Sequence, residues 1–138
     1  MIPNILSIAG SDPSGGAGIQ ADIKAISAGG GYAMAAITAL TAQNTQGVAG
    51  VTLVASEMVR AQIAAIREDI RIDAVKIGML GSAEIVAAVA EALDGLDAAL
   101  VLDPVMVAKG GDRLLAADAV AALAGRLVPR ATVITPNL

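Results

Sequence analysis

The chain has 138 residues, 56% of them hydrophobic, and a net charge of −4 from 9 basic and 13 acidic side chains. It holds no Cys and no His, which excludes disulfides, Cys-based metal sites and nucleophiles, and imidazole bases; no basic patch points to nucleic acid. Mean hydropathy is +0.72, yet Gly, Pro or polar groups break every apolar run before the roughly 20 residues a spanning helix needs. No membrane partner is expected. Nothing at the N-terminus reads as a signal peptide, so a cytoplasmic location is the expectation. Apart from Tyr32 there is no aromatic residue. The apolar mass is aliphatic, which suits helices packed on a buried parallel sheet.

Residues 3–9 predict a first strand. A glycine-rich loop follows, Gly10-Ser11-Asp12-Pro13-Ser14-Gly15-Gly16-Ala17-Gly18. Ile19, Ile23 and Ile26 then recur at helical spacing and predict a helix over 18–28, closed by Gly29-Gly30-Gly31 as a left-handed cap. Residues 32–42 read as a second strand, broken by the polar run Gln43 to Gly47. Residues 48–54 form a short strand. Ser56 opens a helix with Val59, Ile63, Ile66 and Ile70 on one face. Residues 73–79 are a strand, and Ser82 caps a helix bearing Ile85, Val89, Leu93 and Leu96. A strand over 98–102 ends at Asp103-Pro104. After Gly110-Gly111 comes a helix over 117–127, stopped by Pro129, and then a strand over 131–135. The alternation predicts an α/β sandwich, a mostly parallel sheet with helices on both faces. The last strand has no helix after it, so the domain reads as cut short.

In such sheets ligands bind beyond the carboxyl ends of the strands. Four clusters fall at that edge: the glycine loop, Gln43-Asn44, Gly78-Met79 and Asp103 to Gly111. The loop precedes a helix N-terminus, and this combination suits an anion or a polar small molecule. Asp22 lies about 40° from the apolar sector of its helix. A carboxylate there needs a partner: a ligand, or an ion pair with Lys24 or Arg67. Asp103 either orients a ligand or a Mg²⁺-bound water, or caps the turn before Pro104. Lys109 is a phosphate contact or a surface lysine. Gln43 reads the edge of a heterocycle or bonds to backbone. Met79 lines a flat apolar pocket or packs in the core. Lys76, a charge inside a predicted buried strand, calls for a carboxylate partner that the sequence leaves unnamed. The loop is not a Walker A sequence, because no Lys-Ser or Lys-Thr follows its glycines. Gly16-Ala17-Gly18-Ile19-Gln20-Ala21 matches G-x-G-x-x-A, but no acid lies between Asp22 and Glu57 to hold a ribose, which argues against a dinucleotide.

Five stretches carry a resemblance. They are Ala9 to Asp22, Ile37 to Gly47, Val75-Lys76-Ile77-Gly78-Met79-Leu80, Leu102 to Lys109, and Val133 to Leu138. Together they resemble the hydroxymethylpyrimidine/phosphomethylpyrimidine kinases of thiamine biosynthesis, in register along the whole chain. The resemblance implies a ribokinase-like three-layer sandwich. It implies transfer of a phosphoryl group from Mg²⁺-bound ATP to 4-amino-5-hydroxymethyl-2-methylpyrimidine and then to its monophosphate. It assigns the pyrimidine pocket to Gly10, Asp22, Gln43, Met79 and Val105, and the phosphate and metal side to Asp103, Lys109 and Asn137. It also implies a homodimer. Members of this family are nearly twice as long, and their second half carries the Gly-rich loop and proposed base. Residues 1–138 are therefore expected to be the N-terminal part of one kinase domain, with no catalytic residue of their own, and inactive alone. A pyridoxal-type kinase of the same fold and a non-catalytic pyrimidine-binding fragment are the alternatives.

Overall fold

The computed structural model describes residues 1–104 and 117–136. The elements in chain order are β1 (Asn4–Ser11), α1 (Gly18–Ala28), β2 (Tyr32–Asn44), β3 (Gly47–Leu53), α2 (Ser56–Asp69), β4 (Ala74–Ile77), α3 (Ala83–Ala92), β5 (Ala99–Leu102), α4 (Ala117–Arg126) and β6 (Val133–Ile134). The strands form one sheet in the order β3-β2-β1-β4-β5-β6. All neighbours pair in parallel except β2 and β3, which are antiparallel. The expected fold class is the one found.

Alternation along the strands explains the layers. Leu6, Ile8, Val75, Ile77 and Leu102 are buried in one cluster with Val59 and Ile63 of α2, Val86 and Val89 of α3, and Leu123 of α4. Side chains one step along point the other way. Ser7 and Lys76, paired in register, reach Asp22 of α1 on the opposite face. One face is thus aliphatic and closed by α2 to α4, and the other carries polar groups under α1. Each fully buried aliphatic side chain contributes roughly 1.5–3 kcal/mol, so the first face supplies most of the cohesion.

Two expectations change. The polar run at Gln43 does not break β2, which continues to Asn44. The early part of β2 pairs with β1, and its far end pairs with β3 in a hairpin, so the polar residues lie beyond the sheet's core. Register shifts occur between Ala9 and Ser11 on β1 and between Ala42 and Gln43 on β2, both beside the carboxyl edge. In α1, Ile23 is exposed while Ile19 is buried and Asp22 and Ile26 are half-buried. The sheet-facing sector is therefore Ile19, Asp22 and Ile26, rotated from the purely apolar one, because Ser7 and Lys76 below supply partners for the carboxylate. The end of α1 is as expected: Gly30 has φ +90°, and the N–H groups of Gly30 and Gly31 donate to the carbonyls of Ser27 and Ile26.

Candidate functional site

The glycine loop is built around one of its own side chains. Asp12 is buried, with 3% of its surface exposed. Its Oδ1 accepts from the Ser14 N–H (2.9 Å) and the Ser14 hydroxyl (2.7 Å). Its Oδ2 accepts from the N–H groups of Gly16 (3.1 Å) and Ala17 (2.8 Å). Burial pushes the Asp12 carboxyl up, but the Ser14 hydroxyl and the three backbone donors outweigh it and hold the carboxyl below its ordinary 3.8. The loop N–H groups of Ser14, Gly16 and Ala17 are thus taken by an internal carboxylate, whereas those of the first turn of α1 are not bonded to it. Gln20 completes the arrangement, accepting from the Asp12 N–H and donating to the Ser11 hydroxyl. Gly18, at φ +59°, closes the loop, since a Cβ there would overlap the Gly10 carbonyl.

Asp22 lies one turn further along α1 and has a different environment. It accepts from the Ser7 hydroxyl at 2.7 Å, and both its oxygens are 3.0 Å from Lys76 Nζ. The cation that partners it is thus Lys76 of β4, not Lys24 or Arg67. Lys24 donates to the Gly15 carbonyl, and Arg67 to the carbonyls of Ala92 and Asp94. The side chains of Lys76 and Asp22 keep 26% and 16% of their surface exposed, and the open side faces a cleft.

This cleft, about 260 Å³, lies at the carboxyl edge of the sheet. Gly10 of β1, Asp22 of α1, Gln43 of β2 and Met79 beyond β4 all line it, with Thr41, Lys76, Gly78 and Asp103. Drug-sized sites run to roughly 300–1,000 Å³, so this volume suits one small ring. Met79 is held by its backbone, whose carbonyl accepts from the buried Thr38 hydroxyl at 2.6 Å. A Cβ on Gly10 would lie 2.9 Å from the Met79 methyl, so Gly10 leaves room for the thioether. The single Thr41 hydroxyl proton has two acceptors in reach, the Ser11 carbonyl at 2.7 Å and, more distantly, Gln43 Oε1 at 3.2 Å, so Gln43 is at most weakly held. Gln43 Nε2 makes no hydrogen bond to a described residue and is available to a ligand. Asp103 sits at the rim, and its N–H continues the ladder by donating to the Ile77 carbonyl. Val105, Lys109 and Asn137 lie outside the described residues. A larger groove of about 430 Å³ runs between α2 and α3, where Arg60 pairs with Glu91 at 2.7 Å and Arg67 donates to the Ala92 and Asp94 carbonyls.

The strand-edge reading brings Gly10, Gln43 and Met79 together, the family resemblance adds Asp22, and the fold gathers all four around one cleft. Sequence reasoning misses Asp12, although Asp-Pro-Ser-Gly is an Asx-turn signal. It also misses Ser7 and Thr38, which look like ordinary strand residues.

The family model described as phosphomethylpyrimidine kinase matches residues 12–138. The hydroxymethylpyrimidine/phosphomethylpyrimidine kinase of Escherichia coli (strain K12) is 54% identical over 136 residues, covering 98% of this chain and 51% of that protein. A crystal structure of phosphomethylpyrimidine kinase from Clostridium difficile 630 superimposes with a TM-score of 0.91 at 50% identity, covering 98% of this chain and 59% of that one. Pyridoxal kinase from Staphylococcus aureus, in complex with pyridoxal, gives 0.88 at 36% identity, covering 100% and 50%. The chain spans about half the length of the curated kinases it matches at 53–56% identity.

Proposed function

The chain belongs to the phosphomethylpyrimidine kinase family, and on that premise we propose that the full-length protein phosphorylates 4-amino-5-hydroxymethyl-2-methylpyrimidine and then its monophosphate with ATP, in thiamine biosynthesis. The observation that carries this reading is the single cleft lined by Gly10, Asp22, Gln43 and Met79, contributed by four separate stretches of chain. In the proposed complex the Gln43 amide and the Asp22 carboxylate bind the aminopyrimidine edge. An amide offers both donors and an acceptor, and a carboxylate accepts from the exocyclic amine. Met79 packs on the ring face, a role assigned to Val105 as well. Phosphoryl transfer then requires the hydroxymethyl oxygen to bond to the γ-phosphorus while the bond to the ADP oxygen breaks and the hydroxyl proton leaves to a base. The base is assigned to no described residue.

ATP and Mg²⁺ are the proposed co-substrate and cofactor, with Asp103, Lys109 and Asn137 on their side of the site. Among the described residues no group of three His, Cys, Asp or Glu could hold a metal ion. In the glycine loop the N–H groups of Ser14, Gly16 and Ala17 are bonded to Asp12 and are not offered to the nucleotide phosphates. The described residues form no all-protein metal cage. In this reading Asp103 would hold Mg²⁺ only together with the nucleotide phosphates and water, while the residues around Gln43 and Asp22 serve the acceptor-alcohol end of the reaction.

Residues 1–138 form, in this reading, the N-terminal part of one kinase domain of a cytoplasmic homodimer. Among the described residues no helix is long and apolar enough to cross a membrane. Light scattering of the full-length protein tests the dimer, with twice the chain mass expected. The reaction is tested by following ATP consumption by the full-length protein with hydroxymethylpyrimidine and with pyridoxal. Two successive phosphorylations of the pyrimidine are expected. Faster turnover of pyridoxal would shift the reading to that ring, and no turnover with either would reject a kinase.

A further inference from the structure

We propose that Lys76 is itself a ligand-binding residue, donating a hydrogen bond from its ammonium to an acceptor atom of the ring substrate. The inference rests on the pyrimidine reading above and deepens it.

An ammonium has three N–H donors. The Lys76 ammonium directs bonds to Asp22 Oδ1 and Oδ2, each at 3.0 Å, and makes none to any other described residue. A donor therefore remains, and Lys76 lines the cleft. Among the described residues that line it, Lys76 is the only cation, facing the carboxylates Asp12, Asp22 and Asp103. Asp12 is saturated by its own loop, so it does not compete for the ammonium.

Gly78 supplies an independent observation. Its backbone is not in the left-handed region, so its conformation does not require glycine. A Cβ there would lie 3.2 Å from Lys76 Nζ and 3.0 Å from the Ala9 Cβ. Lys76 and Gly78 share one face of the chain as it leaves β4, so the lysine stem runs over Gly78 toward the carboxyl edge. The missing side chain at 78 leaves the ammonium the space it needs to reach the cleft.

The pair then offers a ligand both polarities at one spot: acceptor oxygens on Asp22 and a charged donor on Lys76. A ring bearing an amino donor beside a nitrogen or hydroxyl acceptor matches it. Charge-assisted bonds of this kind are the stronger class, so losing one should weaken binding by about tenfold or more.

The test is calorimetric titration of the full-length protein with 4-amino-5-hydroxymethyl-2-methylpyrimidine, with a thermal melt of each variant. Lys76→Met is expected to weaken binding at least about tenfold. Lys76→Met combined with Asp22→Asn should bind more weakly than Asp22→Asn alone, because Lys76 contributes beyond holding Asp22. Gly78→Ala, which crowds the ammonium but keeps both charges, should also lose affinity. If Lys76→Met fails to fold, the double variant, with no bare carboxylate, and Gly78→Ala decide the question. Wild-type affinity in Lys76→Met or Gly78→Ala would overturn the inference while leaving the pyrimidine reading in place. So would a double variant equal to Asp22→Asn, since Lys76 would then act only through its partner. Absence of binding by the wild type would overturn both.

Discussion

Two carboxylates stand about three helical turns apart in sequence, on either side of the start of α1, and they do opposite work. Asp12 is enclosed by four donors from its own loop, all within five residues of it. Asp22 is partnered by Ser7 and Lys76, 15 and 54 residues away, and keeps an open side toward the cleft. The local set is saturated. The long-range set is incomplete by design of the fold, because it sits where three strands end. A helix N-terminus behind glycines is an anion site only if its donors are free. Here the loop N–H groups of Ser14, Gly16 and Ala17 are taken by Asp12, while the carboxylate that stays open, Asp22, lies one turn along the helix.

The largest effect should come from disrupting the closed side. Gly18→Ala adds a Cβ at φ +59° that overlaps the Gly10 carbonyl. The backbone conformation alone costs about 1–3 kcal/mol, and the overlap adds to it. Chemical denaturation should show the loss, with ligand affinity falling too because loop and cleft share Gly10 and Gly18. Asp12→Ala should destabilise by about 1–3 kcal/mol, as the loop donors lose their acceptor. Asp22→Asn should separate the two regions. Its stability cost is expected to be about 1 kcal/mol, since an amide still accepts from Ser7 and Lys76, while pyrimidine affinity falls at least about tenfold. Equal changes in stability and affinity for Asp12→Ala and Asp22→Asn would erase the distinction.

Acid provides a finer probe. The Asp12 carboxyl is held below its ordinary 3.8 in the folded chain. In the window between the two values the unfolded chain binds more protons, so stability falls as pH falls. The contribution is complete above 3.8 and is lost as pH drops through the lower, folded value. Urea melts in that range should show a shallower acid slope for Asp12→Asn than for the wild type. The smallest effect belongs to the α2–α3 groove. The Arg60–Glu91 pair is about half-exposed on both sides, and Arg60→Ala should change stability by less than about 1 kcal/mol and affinity not at all.

How much of this was legible follows from the range of each interaction. The bounds of helix α1 are legible because its glycine cap and loop are local signals, but its inward face is not, since Asp22 takes the place that periodicity gives to Ile23. The convergence of Gly10, Gln43 and Met79 is legible because strand ends share an edge in a parallel sheet, whereas Asp22, on α1, is placed with them only by the family resemblance. The far end of β2 is misread because a polar tail normally ends a buried strand, whereas here it forms a hairpin outside the core. The Asp22–Lys76 pair could be suspected from either residue but not assigned. It depends on β4 lying beside β1, with Lys76 opposite Ser7, and strand order is a tertiary fact. Asp12 was overlooked because its role is to satisfy backbone groups, and the type of residue alone does not distinguish that from ligand binding.

The central claim, that this edge of the sheet holds an aminopyrimidine, is tested most directly at Gln43. Its one side-chain bond to a described residue is the long 3.2 Å contact with Thr41, so shortening it should leave the fold intact. Calorimetric titration of full-length Gln43→Ala with 4-amino-5-hydroxymethyl-2-methylpyrimidine is predicted to show an affinity loss of about tenfold or more, with an unchanged melting temperature. Affinity equal to that of the wild type would contradict the proposed pocket.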